Sequence, residues 1–368
     1  MIRVLQISDS LKKRFGITIF LMNYFRAIDK SKVVFDFLVY DCEKEILDEI
    51  NSYGGNVYYM PKLSIKNVNC FKKNIRDFLK KHDYPVIHSH FYQIDSIVSK
   101  EAFATGTKHF ISHSHNTKYS DYWFRSVRNF IMSIPIKYKS TDFCACSLDA
   151  GLFLFKKKQL AKRKKKIVVI PNAIDYQKFL FNSQTRLNVR NYYGIKEDSI
   201  VIGNVGSLKP QKNHLFLIDV FAHFKSICPN SYLMLVGDGQ LKQALTERVR
   251  KLGLNDSVIF CGETNNSSSF YNAFDIYAFP SKYEGFGLSL LEAQVNGLPC
   301  IASEFVPDEP FVSPIAIKYK LSSGPHCWAK KLKEQVLQRV DPTFISDKYD
   351  ILKQAMFLTD YYEELYSD

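Results

Sequence analysis

The residues with the clearest chemistry run from Pro280 to Ala293, in the order Pro-Ser-Lys-Tyr-Glu-Gly-Phe-Gly-Leu-Ser-Leu-Leu-Glu-Ala. An apolar run precedes them and a helical pattern follows. Gly285 and Gly287 therefore fall in a strand-to-helix turn, where pliable backbone and N–H groups without helical partners favour an anion such as phosphate. Glu284 stands just before the helix, and Glu292, about one turn inside it, leans back toward the helix start because helical side chains tilt that way. Two carboxylates thus flank a phosphate-sized space. Carboxylates accept hydrogen bonds from a ribose diol and a sugar hydroxyl, while backbone N–H groups and the helix dipole suit the diphosphate between them. A nucleotide sugar offers that combination. The plain alternative is a helix cap at Glu284 and an ordinary exposed residue at Glu292.

A second segment adds support. Gly203-Asn-Val-Gly-Ser-Leu-Lys-Pro-Gln-Lys-Asn-His214 ends another apolar run in a glycine turn, and Lys212 lies close to the following helix, placed to neutralise a diphosphate leaving group. Read alone, Lys212 could equally be solvated. Leu235-Val-Gly-Asp-Gly239 is a further strand-to-turn segment; Gly237 in it serves either a ligand or merely a tight turn.

These loops need strands and helices to hold them. Short apolar runs typical of buried parallel strands occur at Arg3–Ser8, Val33–Val39, Asn56–Tyr59, Val86–His88, His109–Ser112, Phe143–Ala145 and Val168–Ile170, with helical stretches such as Ile17–Ile28 and Asn69–Lys81 between many of them. A polar stretch to about Gly194 follows, and the alternation restarts at Ile200–Gly203, Tyr232–Val236, Val258–Phe260, Ile276–Phe279 and Pro299–Ala302. The pattern implies α/β architecture: a first doubly wound domain over residues 1–180, a second over 181–348, and a closing helical stretch at about 349–368. In such sheets ligands bind beyond the carboxyl ends of the strands, so two facing domains would hold a site in their cleft.

Composition narrows the partners. The 368 residues carry 50 Lys and Arg against 37 Asp and Glu, a net charge of +13, and 46% are hydrophobic. Residues 1–180 hold 31 basic and 16 acidic residues, net +15, so the remainder, with 19 against 21, is net −2. The whole excess lies in the first half. No nucleic-acid module accompanies it. The eight cysteines include no C-x-x-C pair, which argues against a spaced zinc site and for reduced core thiols. No secretory leader or membrane-spanning run is expected, which points to a cytoplasmic protein.

Taken together, Val-Gly-x3-Pro-Gln-Lys-Asn, Leu-Val-Gly-Asp-Gly and Pro-Ser-x-x-Glu-Gly-Phe-Gly-Leu-x-Leu-x-Glu-Ala resemble the retaining, nucleotide-sugar-dependent glycosyltransferases of family four. Phe15-Gly16-Ile17-Thr18, His113-Ser114-His115-Asn116-Thr117, Ala145-Cys146-Ser147 and Val169-Ile-Pro-Asn-Ala-Ile-Asp175 match landmarks of that family's capsular and exopolysaccharide branch. The match covers nearly the whole chain and fades after about Ile301. The resemblance implies GT-B architecture, with two Rossmann-like parallel-sheet domains facing across a cleft and the closing helix, about 349–368, crossing back to join the first. It also implies that Lys212 contacts the donor diphosphate, Glu284 the transferring sugar, the backbone of Phe286, Gly287 and Leu288 the phosphates, and Glu292 the ribose. Gly237 joins this donor-binding set. Gly16 would lie near donor phosphates and acceptor, and His115, ahead of His113, would approach the reacting sugar.

Two positions depart from the family pattern. Phe15 replaces the first of a usual glycine pair, and Ser207, in the donor-binding loop, stands where an arginine is usual, a loss that Lys209 could offset. No Asp-x-Asp triplet occurs, so no metal is expected and Lys212 with the helix N-terminus would carry that charge. The expected donor is a UDP-sugar, or else a GDP-sugar, and the expected acceptor is a polyprenyl-diphosphate-linked oligosaccharide on the inner face of the plasma membrane. The segment from Tyr122 to Ile134 reads as an interfacial or core helix, and Lys156–Lys166, with eight basic residues in eleven, as a patch for anionic lipid or a solvated helix. A GT-B nucleotide-sugar epimerase and a non-catalytic sugar-nucleotide binder are the competing readings.

Overall fold

The computed structural model describes the chain except for residues 14, 116–122, 135, 163–164, 265, 337–338, 342–346 and 368. The chain forms two compact units, Met1–Ile174 with Lys348–Asp368, and Asp175–Asp347. The passage between them falls at Ile174, not at Leu180. Phe179 packs into the core of the second unit, and its carbonyl accepts from Asn296 Nδ2 at 2.8 Å.

Among the described residues, the main sheet of the first unit has seven parallel strands: β1 (Ile2–Ile7), β2 (Val33–Val39), β3 (Val57–Tyr59), β4 (Val86–Ser89), β5 (His109–Ser114), β6 (Asp142–Ala145) and β7 (Ile167–Val169). Their spatial order is β3-β2-β1-β4-β5-β6-β7. Helices cover both faces, which is why β2 is buried at every position. Its one charge, Asp36, is held by Arg3 at 2.7 Å and by the Tyr84 hydroxyl at 2.8 Å, as a buried carboxylate requires.

Six strands make the second unit's sheet: β8 (Ile200–Val205), β9 (Ser231–Val236), β10 (Val258–Gly262), β11 (Ile276–Phe279), β12 (Cys300–Ser303) and β13 (Ala316–Tyr319), ordered β10-β9-β8-β11-β12-β13. Alternate residues feed two cores: Ile202, Leu235 and Ala278 one, Val201, Val236 and Phe279 the other. Sequence patterning stopped at β12; the structure adds β13 and the helix Gly324–Gln335, which buries Trp328. The polar stretch before Gly194 contains the helix Ser183–Tyr192, whose Arg186 and Arg190 both bind Asp275 at 2.6 Å.

Four helices bear on the site: α1 (Gly16–Ala27), α2 (Tyr92–Phe103), α3 (Leu288–Val295) and α4 (Ile351–Ser367). Helix α1 buries Phe20, Leu21, Tyr24 and Phe25 at helical spacing, and α4 returns to the same core through Leu358, Tyr362 and Leu365. Both sheets reverse strand order once, between β1 and β4 and between β8 and β11. Such a reversal opens a crevice beyond the strand ends.

Among the described residues no helix is long and apolar enough to cross a membrane. All eight cysteines are free; Cys144, Cys146 and Cys300 are buried, whereas Cys70 and Cys327 are exposed, so core packing accounts for only some of them. The interfacial helix read from Tyr122 to Ile134 begins outside the described residues, and within it a helix spans Trp123–Ser133. Residues 163–164 of the basic run, and Asn116 and Thr117 of the histidine landmark, also lie outside them.

Candidate functional site

In the second unit, the loop after β8 and the loop after β11 meet at the strand reversal. The Lys282 amide donates to the Gln211 carbonyl at 2.8 Å, and Gln211 Nε2 donates to the Tyr283 carbonyl at 2.9 Å. Lys212 Nζ then reaches Glu284 Oε1 at 2.8 Å and lies 4.7 Å above the Phe279 ring. The lysine and glutamate side chains are only 15% and 7% exposed, so each neutralises a charge that would be costly alone. Below them Asn204 donates to the Ala278 carbonyl at 2.8 Å and accepts from His214 Nε2 at 2.9 Å. Burial and the nearby Lys212 push the His214 imidazole down to about 4. The lysine loop is therefore anchored at both ends.

Glycine geometry explains two of the motif positions. Gly237 has φ +133°, and a Cβ there would sit 2.3 Å from the Gly206 carbonyl oxygen, so the turns after β8 and β9 close on each other only with glycine. Leu208 N donates to the Asp238 carbonyl at 3.0 Å across that contact. Gly237 thus shapes the Ser207 loop. Gly287 caps α3 at φ +98°, leaving the first N–H groups of the helix, those of Leu288 and Ser289, without helical acceptors. Phe286 before it is buried. Glu292, half-buried in the body of α3, accepts from the Tyr271 hydroxyl at 2.5 Å. Burial outweighs that bond and the nearby Lys212 charge, and raises the Glu292 carboxyl to about 6. Tyr271 carried no motif signal.

In the first unit a different site stands at the equivalent reversal. Alternation along β4 and β5 sends His88, His90, His113 and His115 to one face and Ser89 and Ser112 to the other. On the serine face Asp95 of α2 accepts from Ser89 at 2.5 Å and from Ser112, clamping the two strand ends together. Burial lifts the Asp95 carboxyl to about 7. On the histidine face the rings of His113 and His115 stack at 4.2 Å and those of His88 and His90 at 4.5 Å. Phe20 of α1 packs edge-on against His113 and His115. Burial holds all four imidazoles neutral, with His88 and His115 pushed down to about 3. A cavity of about 210 Å³ beside them is lined by Asp9, Ile17, His90, His113 and His115 among others.

Gly16 opens α1 next to this cavity, with space around its α-carbon and no positive φ, so backbone strain does not require glycine there. Phe15 before it is 41% exposed. Of the expected site residues, Lys212, Glu284, Phe286, Gly287, Leu288, Glu292, Ser207 and Gly237 belong to the second unit, and Gly16 and His115 to the first. Sequence reasoning missed His88 and His90, although the tripeptide His-Ser-His occurs twice, at 88–90 and 113–115. His88, His90 and His113 each place a ring nitrogen within 4.8 Å of the others, a set able to ligate a metal ion.

Residues 185–310, which contain the whole lysine and glutamate site, match the family model "Glycosyl transferases group 1". The chain is 33% identical over 311 residues to EpsF of Bacillus subtilis (strain 168), named as a glycosyltransferase, covering 83% of this chain and 80% of EpsF. It is 27% identical over 261 residues to the UDP-Gal:alpha-D-GlcNAc-diphosphoundecaprenol alpha-1,3-galactosyltransferase of Escherichia coli, covering 67% and 65%. Among solved structures, Anabaena Alr3699/HepE in complex with UDP and glucose superposes with a TM-score of 0.77 at 16% identity, over 99% of this chain and all of that one. This last likeness establishes the GT-B fold. On the extent of the match to EpsF and the family signature over the second unit, the chain belongs to the group 1 glycosyl transferases.

Proposed function

We propose that this glycosyltransferase is a retaining, metal-independent enzyme that moves a sugar from a UDP-sugar to a polyprenyl-diphosphate-linked oligosaccharide of a bacterial surface polysaccharide. The observation that carries this reading is the Lys212–Glu284 pair, held at 2.8 Å beside the N-terminus of α3. A cation and a helix N-terminus suit a diphosphate, and the adjacent carboxylate suits a sugar hydroxyl. When the diphosphate arrives, the Lys212 ammonium exchanges part of its bond to Glu284 for phosphate oxygens, and the freed carboxylate turns to the sugar. Glu292 gives one oxygen to Tyr271 and keeps the other for the ribose diol. Charge developing on the departing diphosphate is met by Lys212 and the Leu288 amide, groups already in place before reaction. The sugar leaves and is received on the same face, and the departing diphosphate takes the proton of the incoming hydroxyl. The printed name of the Escherichia coli relative, with UDP-Gal as donor and a diphosphoundecaprenol acceptor, supports both substrate classes.

Docking on the inner face of the plasma membrane accounts for the basic first half. In the helix Trp123–Ser133 and just beyond it, Val127, Phe130, Ile131 and Ile134 are exposed, whereas the polar Asn129 and Ser133 are buried. An outward apolar face beside cations suits a lipid interface, and Lys156 Nζ lies 5.0 Å over the Phe130 ring. The reading is tested by UDP release across UDP- and GDP-sugars with a lipid-diphosphate acceptor, and by mass spectrometry of the product. Donor converted without change of mass would establish an epimerase, and UDP binding with neither hydrolysis nor transfer a binder. EDTA should leave transfer intact; its loss and recovery with manganese would refute metal independence.

A further inference from the structure

The histidines of the first unit are the two ends of one hydrogen-bonded chain. His115 Nε2 meets His90 Nδ1 at 2.7 Å, His90 Nε2 meets Gln6 Oε1 at 2.9 Å, and Gln6 Nε2 donates to the Tyr362 hydroxyl at 3.1 Å. Tyr362 in turn meets His88 Nδ1 at 2.6 Å, and His88 Nε2 meets His113 Nδ1 at 3.0 Å. The last atom, His113 Nε2, is buried and has no partner among the described residues, although His113 itself is 1% exposed and lines the cavity.

With the Gln6 amide oriented so that Oε1 faces His90 and Nε2 faces Tyr362, hydrogen-bond chemistry fixes every proton in this chain. An amide oxygen only accepts, so Gln6 Oε1 requires a proton on His90 Nε2; neutral His90 then accepts at Nδ1, and His115 must donate from Nε2. On the other branch, the Tyr362 oxygen accepts from Gln6, so its single proton goes to His88 Nδ1. His88 therefore donates from Nε2 to His113 Nδ1, and His113 carries its proton on the unpartnered Nε2. All four rings share one tautomer. The choice is collective: turning the Gln6 amide by half a turn would invert all four together, because each donor fixes the next.

We infer that Gln6, Tyr362 and His88 are positioning residues that set the tautomers of His113 and His115, so that the cavity is offered a neutral N–H donor from His113 for a sugar hydroxyl. A buried N–H without an acceptor is costly until an oxygen accepts from it, so a hydroxyl that seats against His113 by displacing the groups covering Nε2 is recognised by that N–H. The hydroxyl assignment rests on the glycosyltransfer reading above; the tautomer assignment does not. Zinc on His88, His90 and His113 would need lone pairs that the chain has already committed, so the metal and the relay exclude each other.

The test is long-range proton–nitrogen NMR of the histidine-labelled full chain, free of added metal. All four rings should show Nε2 protonated and Nδ1 bare. Tyr362→Phe should leave His90 and His115 unchanged and release His88 and His113 into mixed tautomers. Gln6→Met removes the amide that both branches share and should release all four rings into mixed tautomers, so failure of one variant to fold leaves the other. Each variant should also lower kcat about tenfold, the scale of one lost neutral hydrogen bond. Nδ1 protonation in the wild type, unchanged tautomers in both folded variants, or one equivalent of zinc retained through purification would overturn the relay. The predicted tautomers with undiminished kcat in both variants would overturn the positioning role alone. Absence of any transfer by the wild type would count against the glycosyltransfer reading and leave the tautomer result standing.

Discussion

The two units share a strand order and put their functional side chains at the same topological place, yet they solve opposite problems there. The second unit holds charge: a lysine, two carboxylates and a helix N-terminus on one pair of loops and the helix that follows them. The first unit removes charge, keeping four imidazoles neutral in a packed, aromatic setting. A fold this general supplies the crevice; the strand-end residues decide its chemistry.

The largest expected effect separates the two units by rate. Lys212→Met removes the only cation bonded to Glu284 among the described residues. Turnover should fall by roughly 10²–10³-fold, as when a preorganised charge-stabilising group is deleted, while Glu284→Gln, which keeps shape and loses charge, should also lower it sharply. His115→Ala, at the site that orients neutral rings, should lower kcat by only about tenfold. Steady-state kinetics on the same substrate pair check this; near-normal kcat in both second-unit variants would refute the assignment of charge handling to that unit.

Acid distinguishes the units by the balance of buried groups that resist protonation and those that favour it. In the first, four folded histidines have pKa values depressed below the unfolded 6.5, with His88 and His115 at about 3, against a single carboxyl among the described residues, Asp95, raised to about 7. The unfolded chain therefore binds more protons below pH 6.5, and stability is lost as pH falls, by up to about 1.4 kcal/mol per unit of pH for each such histidine. In the second, Glu292 has a folded pKa raised from 4.5 to about 6, so between these values it binds more protons in the folded state and adds stability as pH falls, which offsets the loss from the one depressed histidine, His214 at about 4. Hydrogen exchange at pH 7 and pH 5 should show β4 and β5 losing protection sooner than α3. Equal loss would remove the contrast.

Legibility followed the same division. Charged residues at strand ends, punctuated by glycine, make a local pattern, and the buried parallel strands read as apolar runs because helices cover both faces. The first-unit site is assembled across the chain, from Gln6 to Tyr362, and no window contains it. Repeated His-Ser-His was the one local trace. Strand β13 escaped because it is partly exposed, with Lys318 on its surface, so its run is neither continuous nor alternating. Helix Gly324–Gln335 escaped because its buried face is short, Trp328, Ala329 and Leu332, within an otherwise polar stretch.

A smaller effect tests whether the second unit's loops depend on each other. Gly237→Ala forces a side chain into φ +133° and into the Gly206 carbonyl, at a cost of about 1–3 kcal/mol. Thermal unfolding should shift accordingly, and the displaced Lys212 loop should raise KM for the donor. The equivalent change at Gly16, where nothing lies near the α-carbon, should leave stability within about 0.5 kcal/mol. Equal destabilisation by the two would show that the close approach of turns is not what Gly237 permits.

The smallest expected effect belongs to the first unit's surface. Ile131 is 59% exposed on the helix Trp123–Ser133, so replacing it with serine removes apolar area from solvent without disturbing a core. Folded stability should hold within about 0.5 kcal/mol. Flotation with vesicles containing anionic lipid should nonetheless weaken by about 1–2 kcal/mol in binding free energy, the worth of one aliphatic side chain leaving the interface. Raising salt should weaken it further through the Lys156–Lys166 run. Binding that ignores Ile131→Ser, salt and lipid charge alike would detach the basic excess of the first unit from any membrane role, and leave the acceptor to be recognised from solution.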